Sequence, residues 1–317
     1  MKKLVKTLSI MNNPWLGLEQ LNRRRVKESI NYNAFWIVDA LNRYGLMIQC
    51  DEDFIKPIRK IKLNGIEIQL DNTATPNKLI LLLKDMKDWE IFLIICNDLI
   101  NVMKERDQDI IINVMKRLER WQKLLQRTTI RVMSKEEQMG LYSELKILQQ
   151  YIVPKYGYHE GIRSWVGALG DKQDFLLEGS AIEVKSNRIT SGNSVWISSK
   201  EQLNSEKNPL YLLVCALNEV DKGETIADVF QSIADQIRSE GLLDEFIEKV
   251  ELYGYIPELS QESLSKFLLE QVNSYEVRDG FPRISLNNVS PWIKSMKYSI
   301  DLSGCSQFKV SINAILE

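Results

Sequence analysis

The sequence predicts a fold of the α/β class, α+β overall, with a mixed central sheet flanked by helices. Three stretches indicate it: a capped amphipathic helix from about residue 134, a hairpin pattern at 174–185, and an apolar run at 210–217 that suits a central strand. An additional N-terminal domain reads first as β-rich and then as helical. We therefore expect an N-terminal domain at 1–128, a core at 129–255, and a C-terminal helix and β-rich segment at 256–317 packed on the rest.

Composition is that of an ordinary globular protein, with 44% hydrophobic and 26% charged residues among 317. The 41 basic and 43 acidic residues give a net charge of −2, which argues against tight binding to nucleic acid by net charge alone. Apolar runs such as 91–96 are too short to cross a bilayer, so we expect a cytoplasmic protein without membrane contact. Four dispersed cysteines form no CxxC pair and indicate free thiols rather than a zinc site: Cys50, Cys96, Cys215 and Cys305.

The first 90 residues contain short strand candidates at 33–39 and 45–50, and Asn64-Gly65 predicts a hairpin between 61–63 and 66–70. Helices are expected at about 92–102 and 109–125, the second with a buried stripe and a basic side. The stripe comprises Ile112, Met115, Leu118 and Trp121, and the basic side comprises Lys116, Arg117, Arg120 and Lys123. A dense basic run at 23–27 fits a solvated helix face better than a phosphate site, although either use is open.

The core begins with a capping box, in which Ser134 caps the helix and Glu137 reaches back. A buried stripe follows at helical spacing, and Pro154 and Gly157 are expected to end the helix. The stripe comprises Leu141, Leu145, Leu148 and Ile152. Glu144 falls at the margin of this stripe, where a carboxylate can face a cleft, and Gly140 leaves room one turn earlier for a close approach.

The hairpin pattern brings two carboxylates together. A two-residue turn at Glu178-Gly179, with glycine supplying a positive φ, places Asp174 opposite Glu183, and a four-residue loop gives the same register. The period of two puts Glu183 and Lys185 on one face. Opposed carboxylates destabilise a sheet unless a positive charge lies between them, which is the physical argument for a metal ion.

These residues resemble the PD-(D/E)XK nuclease superfamily: an aspartate, an eight-residue gap, then Glu-x-Lys, preceded by a helix that carries a glutamate. The chain is similar to one bacterial branch of it, often encoded in restriction and anti-phage gene clusters. The matching segments are GLYSEL (140–145), WVG (165–167), QDF (173–175), IEVK (182–185) and ISSKEQL (197–203), with RLERW (117–121) and FPRI (281–284) outside the core. Gln173 stands where the superfamily name has proline, which is not a ligand.

The resemblance implies a restriction-endonuclease-like core and a Mg²⁺-dependent deoxyribonuclease, with Mn²⁺ as a substitute, that acts on double-stranded DNA in restriction or anti-phage defence. Mg²⁺ prefers oxygen ligands, and those implied are Asp174, Glu183, the carbonyl of Val184 and Glu144. Lys185 would position or help deprotonate the attacking water. Gln202 would orient a phosphate or a ligand.

Partners follow from the same hypothesis. A single site cuts one strand, so a double-strand break requires a homodimer or successive nicks, and other subunits of a defence system are further candidate partners. Substrate recognition is assigned by elimination to residues 1–128.

Several alternatives are weighed against this hypothesis. His159 is the only histidine, which excludes a histidine-cluster metal site, and no G-x-S-x-G elbow accompanies it. Asp171 is expected to serve the turn. A catalytically silent, nuclease-like DNA-binding or assembly subunit of a defence complex is the main rival, and a hydrolase of small phosphoesters is a third hypothesis.

After Lys185, a strand is expected at 194–198, then the central strand at 210–217. Helices are expected at about 225–238, 242–253 and 264–272, and a β-rich end includes residues 275–278 and 298–302.

Overall fold

A computed structural model of the chain describes residues 13–27, 32–50, 61–71, 73, 76–104, 110–126, 133–205, 207–258, 264–285, 289–290 and 292–316. The chain divides into two compact units, Met1–Val132 and Met133–Glu317. No helix in these ranges has the length and apolar content that a bilayer crossing requires. Of the four cysteines, Cys96, Cys215 and Cys305 are buried free thiols, as expected for Cys96 and Cys215.

The N-terminal unit contains an antiparallel five-stranded sheet with the strand order β1-β2-β3-β5-β4. Its strands are β1 (Arg23–Arg25), β2 (Asn33–Val38), β3 (Tyr44–Cys50), β4 (Ile66–Asp71) and β5 (Asn77–Leu83). The turn predicted at Asn64-Gly65 is present, with an antiparallel bridge between Leu63 and Ile66 and a positive φ of 82° at Gly65, but residues 61–62 do not extend it into a hairpin ladder. β4 instead pairs along its length with β5, whose apolar sequence offers a longer partner.

The basic run at 23–27 lies on β1, so the helical interpretation is wrong. β1 pairs with β2, with Arg24 opposite Trp36. The Arg24 guanidinium donates to the carbonyl of Pro14 at 2.8 Å, and the Arg23 guanidinium lies 4.8 Å from the centre of the Phe35 ring. The Arg25 guanidinium donates to Oδ1 of Asn33 at 3.1 Å, so all three arginines of the run have partners within the unit.

Two helices follow in this unit, α1 (Trp89–Val102) and α2 (Ile110–Gln126). The predicted stripe of α2 is shifted: Leu118 and Trp121 are buried as expected, together with Val114 and Leu124, whereas Ile112 is exposed. Part of its basic side also faces inward, because the side chains of Arg117 and Arg120 lie 3.5 and 4.0 Å from the buried carboxylate of Asp98.

The C-terminal unit is built on a mixed sheet with the strand order β12-β10-β9-β7-β6. Its strands are β6 (Phe175–Leu176), β7 (Ala181–Arg188), β9 (Leu210–Glu224), β10 (Phe267–Glu276) and β12 (Lys309–Val310). β7 and β9 are parallel and the other pairs are antiparallel. β9 occupies the centre, as its apolar sequence predicts. A separate two-stranded ribbon pairs β8 (Ser194–Ile197) with β11 (Tyr298–Asp301).

Helices cover one face of this sheet and the ribbon covers the other. The helices are α3 (Lys135–Ile147), α4 (Val153–Ser164), α5 (Ile226–Ile237) and α6 (Leu243–Tyr253), with a short α7 (Ile312–Leu316) at the end. Leu145 and Phe246 share a buried cluster with Ile182 and Val184 of β7. On the opposite face, Val195 of the ribbon packs with Val214 of β9. This mixed α/β architecture is the predicted fold class.

Two predicted elements of this unit are wrong. The helix expected at 264–272 is β10, because β9 would otherwise lack an antiparallel neighbour from Tyr211 to Glu219. Pro154 does not end the core helix: the chain continues through a π-helical turn at Leu148–Ile152 into α4, where proline in the first turn needs no backbone donor. Gly157 produces a kink with a φ of 76°. His159 therefore lies on α4, exposed and paired with Glu160, and not in a loop.

Candidate active site

The turn between β6 and β7 has the predicted register. Phe175 pairs with Ile182 and Leu176 with Ala181, and the Leu177 amide donates to the Ser180 carbonyl at 2.9 Å. Gly179 does not adopt the expected positive φ. The register ends at the pair Phe175–Ile182, and the Asp174 amide also donates to the Ile182 carbonyl, at 3.0 Å, so Asp174 is not the direct partner of Glu183.

Asp174 leaves the ladder because a second segment holds its backbone. The amides of Val166 and Gly167 both donate to the Asp174 carbonyl, at 2.8 and 3.0 Å. A Cβ atom at Gly167 would lie 2.5 Å from Oδ1 of Asp174, so only glycine permits this approach. The carboxylate then turns toward β7, where its Oδ2 accepts a 2.7 Å hydrogen bond from the Val184 amide.

The Val184 carbonyl lies on the same edge of β7 as this carboxylate. The amide and carbonyl of one residue in a strand point to the same side. The Ala181 amide donates to Pro209 on the β9 side, whereas the Val184 amide faces Asp174. The backbone thus places the Val184 oxygen beside the Asp174 carboxylate, in the position expected for a ligand.

Glu183 is the most deeply buried carboxylate of the group, with 0% of its surface exposed. Its Oε1 accepts a hydrogen bond of 2.5 Å from Nζ of Lys185. Its Oε2 is also buried and has no hydrogen-bond partner in the described part of the chain. Burial, and then the charge of Asp174, raise the pKa of Glu183 well above its ordinary value.

Lys185 balances part of this negative charge. Burial lowers the pKa of its ammonium, but the carboxylates of Glu183 and Asp174 outweigh burial and raise that pKa above its usual value. The raised pKa keeps the ammonium charged, and the side chain as a whole is 16% exposed. For Asp174, burial raises the pKa of the carboxyl, opposed by Lys185 and the Val184 amide.

Glu144 comes to the same group from α3. Its Oε2 accepts a 2.7 Å hydrogen bond from the indole Nε1 of Trp165. Burial, followed by the charge of Asp174, raises the pKa of Glu144 well above its ordinary value, although the hydrogen bonds from Trp165 and Tyr253 act in the opposite direction. The charges of Asp174 and Glu183 act on Glu144, so the three carboxylates lie within electrostatic range of one another.

Gly140 has the role expected of it. A Cβ atom at this position would lie 2.5 Å from the hydroxyl oxygen of Tyr253, which extends from α6 to Glu144. Burial, and then the charge of Glu144, raise the pKa of Tyr253 well above its ordinary value, so its hydroxyl stays protonated as a donor. The Tyr253 hydroxyl therefore occupies the space that the missing side chain of Gly140 leaves beside Glu144.

Gln202 is held differently from the other candidate residues. Its side-chain Oε1 accepts a 2.9 Å hydrogen bond from the Ser198 amide, and its carbonyl accepts one from Nε2 of Gln173 at 3.2 Å. Nε2 of Gln173 also lies 3.1 Å from the Glu201 carbonyl and 3.5 Å from that of Asn204. Because Gln173 directly precedes Asp174 in the chain, these hydrogen bonds hold the turn that carries Gln202 close to Asp174.

Sequence reasoning missed three aromatic residues around the carboxylates. Trp165 and Tyr253 donate to Glu144, as described above. Tyr298 comes from the ribbon on the other face, near enough for the charges of Glu183 and Lys185 to act on its pKa, which burial raises. The WVG segment was the only available signal for Trp165, and the distant positions of Tyr253 and Tyr298 gave none.

The donor chemistry fits a hard divalent cation, which favours oxygen ligands. Glu183 Oε2 is a buried carboxyl oxygen without a hydrogen-bond partner among the described residues, and the Val184 carbonyl and Asp174 face the same edge of β7. Within the described ranges, however, no three His, Cys, Asp or Glu side chains already adopt the spacing of a metal site. Protein donors instead hold Asp174 and Glu144.

Comparison with known proteins agrees with this geometry. The family model described as "Putative PD-(D/E)XK family member, (DUF4420)" matches residues 2–303. No curated protein and no solved structure matches the chain. PD-(D/E)XK proteins share a nuclease-like fold that acts on nucleic acid and generally use divalent metal ions. Because the match spans nearly the whole sequence, the chain belongs to the DUF4420 family of the PD-(D/E)XK proteins.

Proposed function

We propose that the protein is a Mg²⁺-dependent DNA endonuclease that hydrolyses phosphodiester bonds, with Mn²⁺ as a working substitute. The observation that supports this proposal best is the buried Oε2 of Glu183, which has no donor among the described residues while Lys185 occupies Oε1. A buried carboxyl oxygen without a partner is costly, and a bound cation removes that cost.

Asp174, Glu183 and the Val184 carbonyl would hold the ion, with Glu144 as a further ligand directly or through water. When bound, Mg²⁺ supplies charge neutralisation at the scissile phosphate and lowers the pKa of an attacking water. The Asp174 carboxylate must then exchange its 2.7 Å hydrogen bond from the Val184 amide for the ion, or share its two oxygens between them.

Lys185 would act on the attacking water and on the phosphate. Its ammonium is held by Oε1 of Glu183 at 2.5 Å, and the side chain is partly exposed. The ammonium is thus already positioned to donate to a phosphate oxygen. Carboxylates hold its pKa above the usual value, which favours water positioning and charge stabilisation over proton abstraction. Glu144, held by Trp165, would orient a water on the opposite side. We assign Gln202 an indirect role through the turn that Gln173 holds.

We infer double-stranded DNA as the substrate and restriction or anti-phage defence as the setting. The bacterial branch that the chain resembles supports both. Cleavage of both strands by one site per chain would require a homodimer or successive nicks, and further defence subunits remain candidate partners. We also propose that the N-terminal unit recognises the DNA substrate.

A second candidate function is a catalytically silent, nuclease-like subunit that binds DNA or assembles a defence complex. The engagement of Asp174 and Glu144 by protein donors favours it, together with the absence of a ready three-ligand metal cluster among the described residues. Binding of a metal ion separates the two functions, because a silent subunit has no need of Mg²⁺.

The test is cleavage of supercoiled and linear DNA with Mg²⁺ or Mn²⁺ by wild type, Asp174→Ala and Lys185→Ala. Asp171→Asn is the matched control, since this neighbouring carboxylate is exposed and accepts a hydrogen bond from the Lys172 amide. We expect nicking or cutting that both site variants lose and the control keeps. Activity that persists in the site variants would contradict the assignment. Hydrolysis of nucleotides alone would favour a small phosphoester as substrate, and failure to bind metal would favour the silent subunit.

A further inference from the structure

Two tryptophans are exposed on the C-terminal unit. Trp196 is 58% exposed and Trp292 is 85% exposed. Tryptophan buries more apolar area than any other side chain, so its exposure forgoes a large stabilisation. Exposed aromatic surface of this kind marks a binding site when neighbouring groups suit a ligand.

The ribbon directs Trp196 outward. Residues of β8 alternate, so that Val195 and Ile197 pack into the buried cluster while Trp196 faces the other way. Its register partner on β11 is Ser299, which is also exposed. A small polar neighbour covers little of the indole, which agrees with its 58% exposure.

Cations accompany both tryptophans, although the whole chain has a net charge of −2. The ammonium of Lys297 lies 4.9 Å from the centre of the Trp196 ring. Lys200, three residues beyond β8, has its ammonium 3.5 Å from the Ile293 carbonyl, which places the segment containing Trp292 beside it. An aromatic ring with flanking ammonium groups provides stacking for a base and charge for a phosphate.

The opposite face of the same ribbon packs on the strand that carries Glu183 and Lys185. Val195 and Ile197 share a buried cluster with Ala181 of β7, and Tyr298, the register partner of Ile197, packs against that cluster. Trp196 is adjacent to Ile197 in the chain, so one two-stranded ribbon lies between the carboxylates and the exposed ring. A DNA strand that leaves the site therefore reaches Trp196 by passing around this single ribbon.

We propose that Trp196, with Lys297, Lys200 and Trp292, binds an unpaired stretch of the DNA strand that enters or leaves the active site. The inference deepens the proposed function and rests on it. Bases within a duplex already stack on each other, so a tryptophan face gains a base only where the strand is unpaired. The preferred substrate is therefore DNA in which a single-stranded extension or gap adjoins the duplex that is cut.

The experiment measures binding by the full chain without divalent metal, so that cleavage does not interfere. The probes are a blunt DNA duplex and the same duplex with a single-stranded thymidine extension. Trp196→Ala should weaken binding of the extended duplex roughly 5- to 100-fold, because one base–aromatic stack contributes about 1–3 kcal/mol. Trp196→Phe should retain most of the affinity, and Lys297→Ala should lower the salt dependence by about 0.7 in slope.

Leu268→Ala is the matched control, since Leu268 is an exposed apolar residue of β10, 45% exposed, outside the ribbon. Equal affinity of Trp196→Ala and wild type for the extended duplex would overturn the inference. An equal loss on the blunt duplex would overturn the role of the unpaired segment. If Lys185→Ala abolishes cleavage while Trp196→Ala binds normally, the proposed function stands and only this inference fails. If wild type binds neither probe, this inference fails, and cleavage with Mg²⁺ or Mn²⁺ decides the proposed function separately.

Discussion

The indole nitrogen of Trp165 donates a hydrogen bond of 2.7 Å to the carboxylate of Glu144. This bond stabilises the charged carboxylate in a buried environment that otherwise raises its pKa. Trp165→Phe removes the donor and keeps most of the ring, so the pKa of Glu144 should rise further. We expect the acid limb of the cleavage-versus-pH profile to move to higher pH, with a loss of about tenfold at neutral pH for one lost charged hydrogen bond.

A matched substitution in the other unit controls for packing loss. Nε1 of Trp121 donates to the buried carboxylate of Asp98 at 2.8 Å, so Trp121→Phe removes the same type of bond. It should lower the melting temperature without moving the pH profile. A shift of equal size in both variants would show that Trp165 acts only through general stability.

Gly140→Ala should disturb Glu144 from the opposite side. The added methyl carbon would lie 2.5 Å from the Tyr253 hydroxyl, which must move away from Glu144. Alanine gains up to about 1 kcal/mol of helix propensity over glycine, while the overpacking costs about 1–3 kcal/mol. We therefore expect cleavage to fall about tenfold, with a net loss of about 1 kcal/mol in the free energy of unfolding.

Gly179→Ala is the control for this substitution, because a Cβ atom there meets nothing within 4 Å and the backbone φ is not positive. Denaturant unfolding and cleavage rates of both variants provide the comparison. Full activity of Gly140→Ala would mean that Tyr253 does not support Glu144.

Local chemistry explains which features the sequence could predict. The capping box of α3 forms as expected, since Ser134 and Glu137 satisfy each other's backbone within one turn. The apolar run at 210–217 becomes the central strand β9 because such a run can be buried on both faces. The hairpin register follows from turn length alone.

The sequence-based predictions fail where a partner distant in sequence determines the local backbone structure. β10 has a sequence compatible with a helix, and the long edge of β9 makes it a strand. Asp174 leaves the predicted ladder because Val166 and Gly167 bind its carbonyl. Neither partner is adjacent in sequence, so a local pattern could not indicate them.

Gln173, in place of the superfamily proline, should stabilise the turn that follows β8. Its Nε2 lies 3.1 and 3.2 Å from the carbonyls of Glu201 and Gln202, within a side chain that is almost fully buried. Gln173→Ala leaves these carbonyls without that donor and should cost about 1–3 kcal/mol in the free energy of unfolding. Substitution of Gln231, an exposed glutamine of α5, should change it by less than about 0.5 kcal/mol. Equal denaturation midpoints for the two variants would rule out the proposed brace.

The metal-free protein should lose stability as the pH rises from about 4 toward neutrality. Burial raises the pKa of Glu183, Glu144 and Asp174 above their unfolded values, near 4. The folded state then retains protons that the unfolded chain releases, so each group costs stability with increasing pH until its folded pKa is passed.

The stability difference between Glu183→Gln and wild type should therefore shift in favour of the variant when the pH rises from 5 to 8. The same change at exposed Glu178 is the control. Added Mg²⁺ or Mn²⁺ should raise the melting temperature of wild type at pH 8 and leave Glu183→Gln unchanged. A difference between the two proteins that is independent of pH would show that Glu183 is ionised throughout, and would remove the electrostatic argument for a cation at this site.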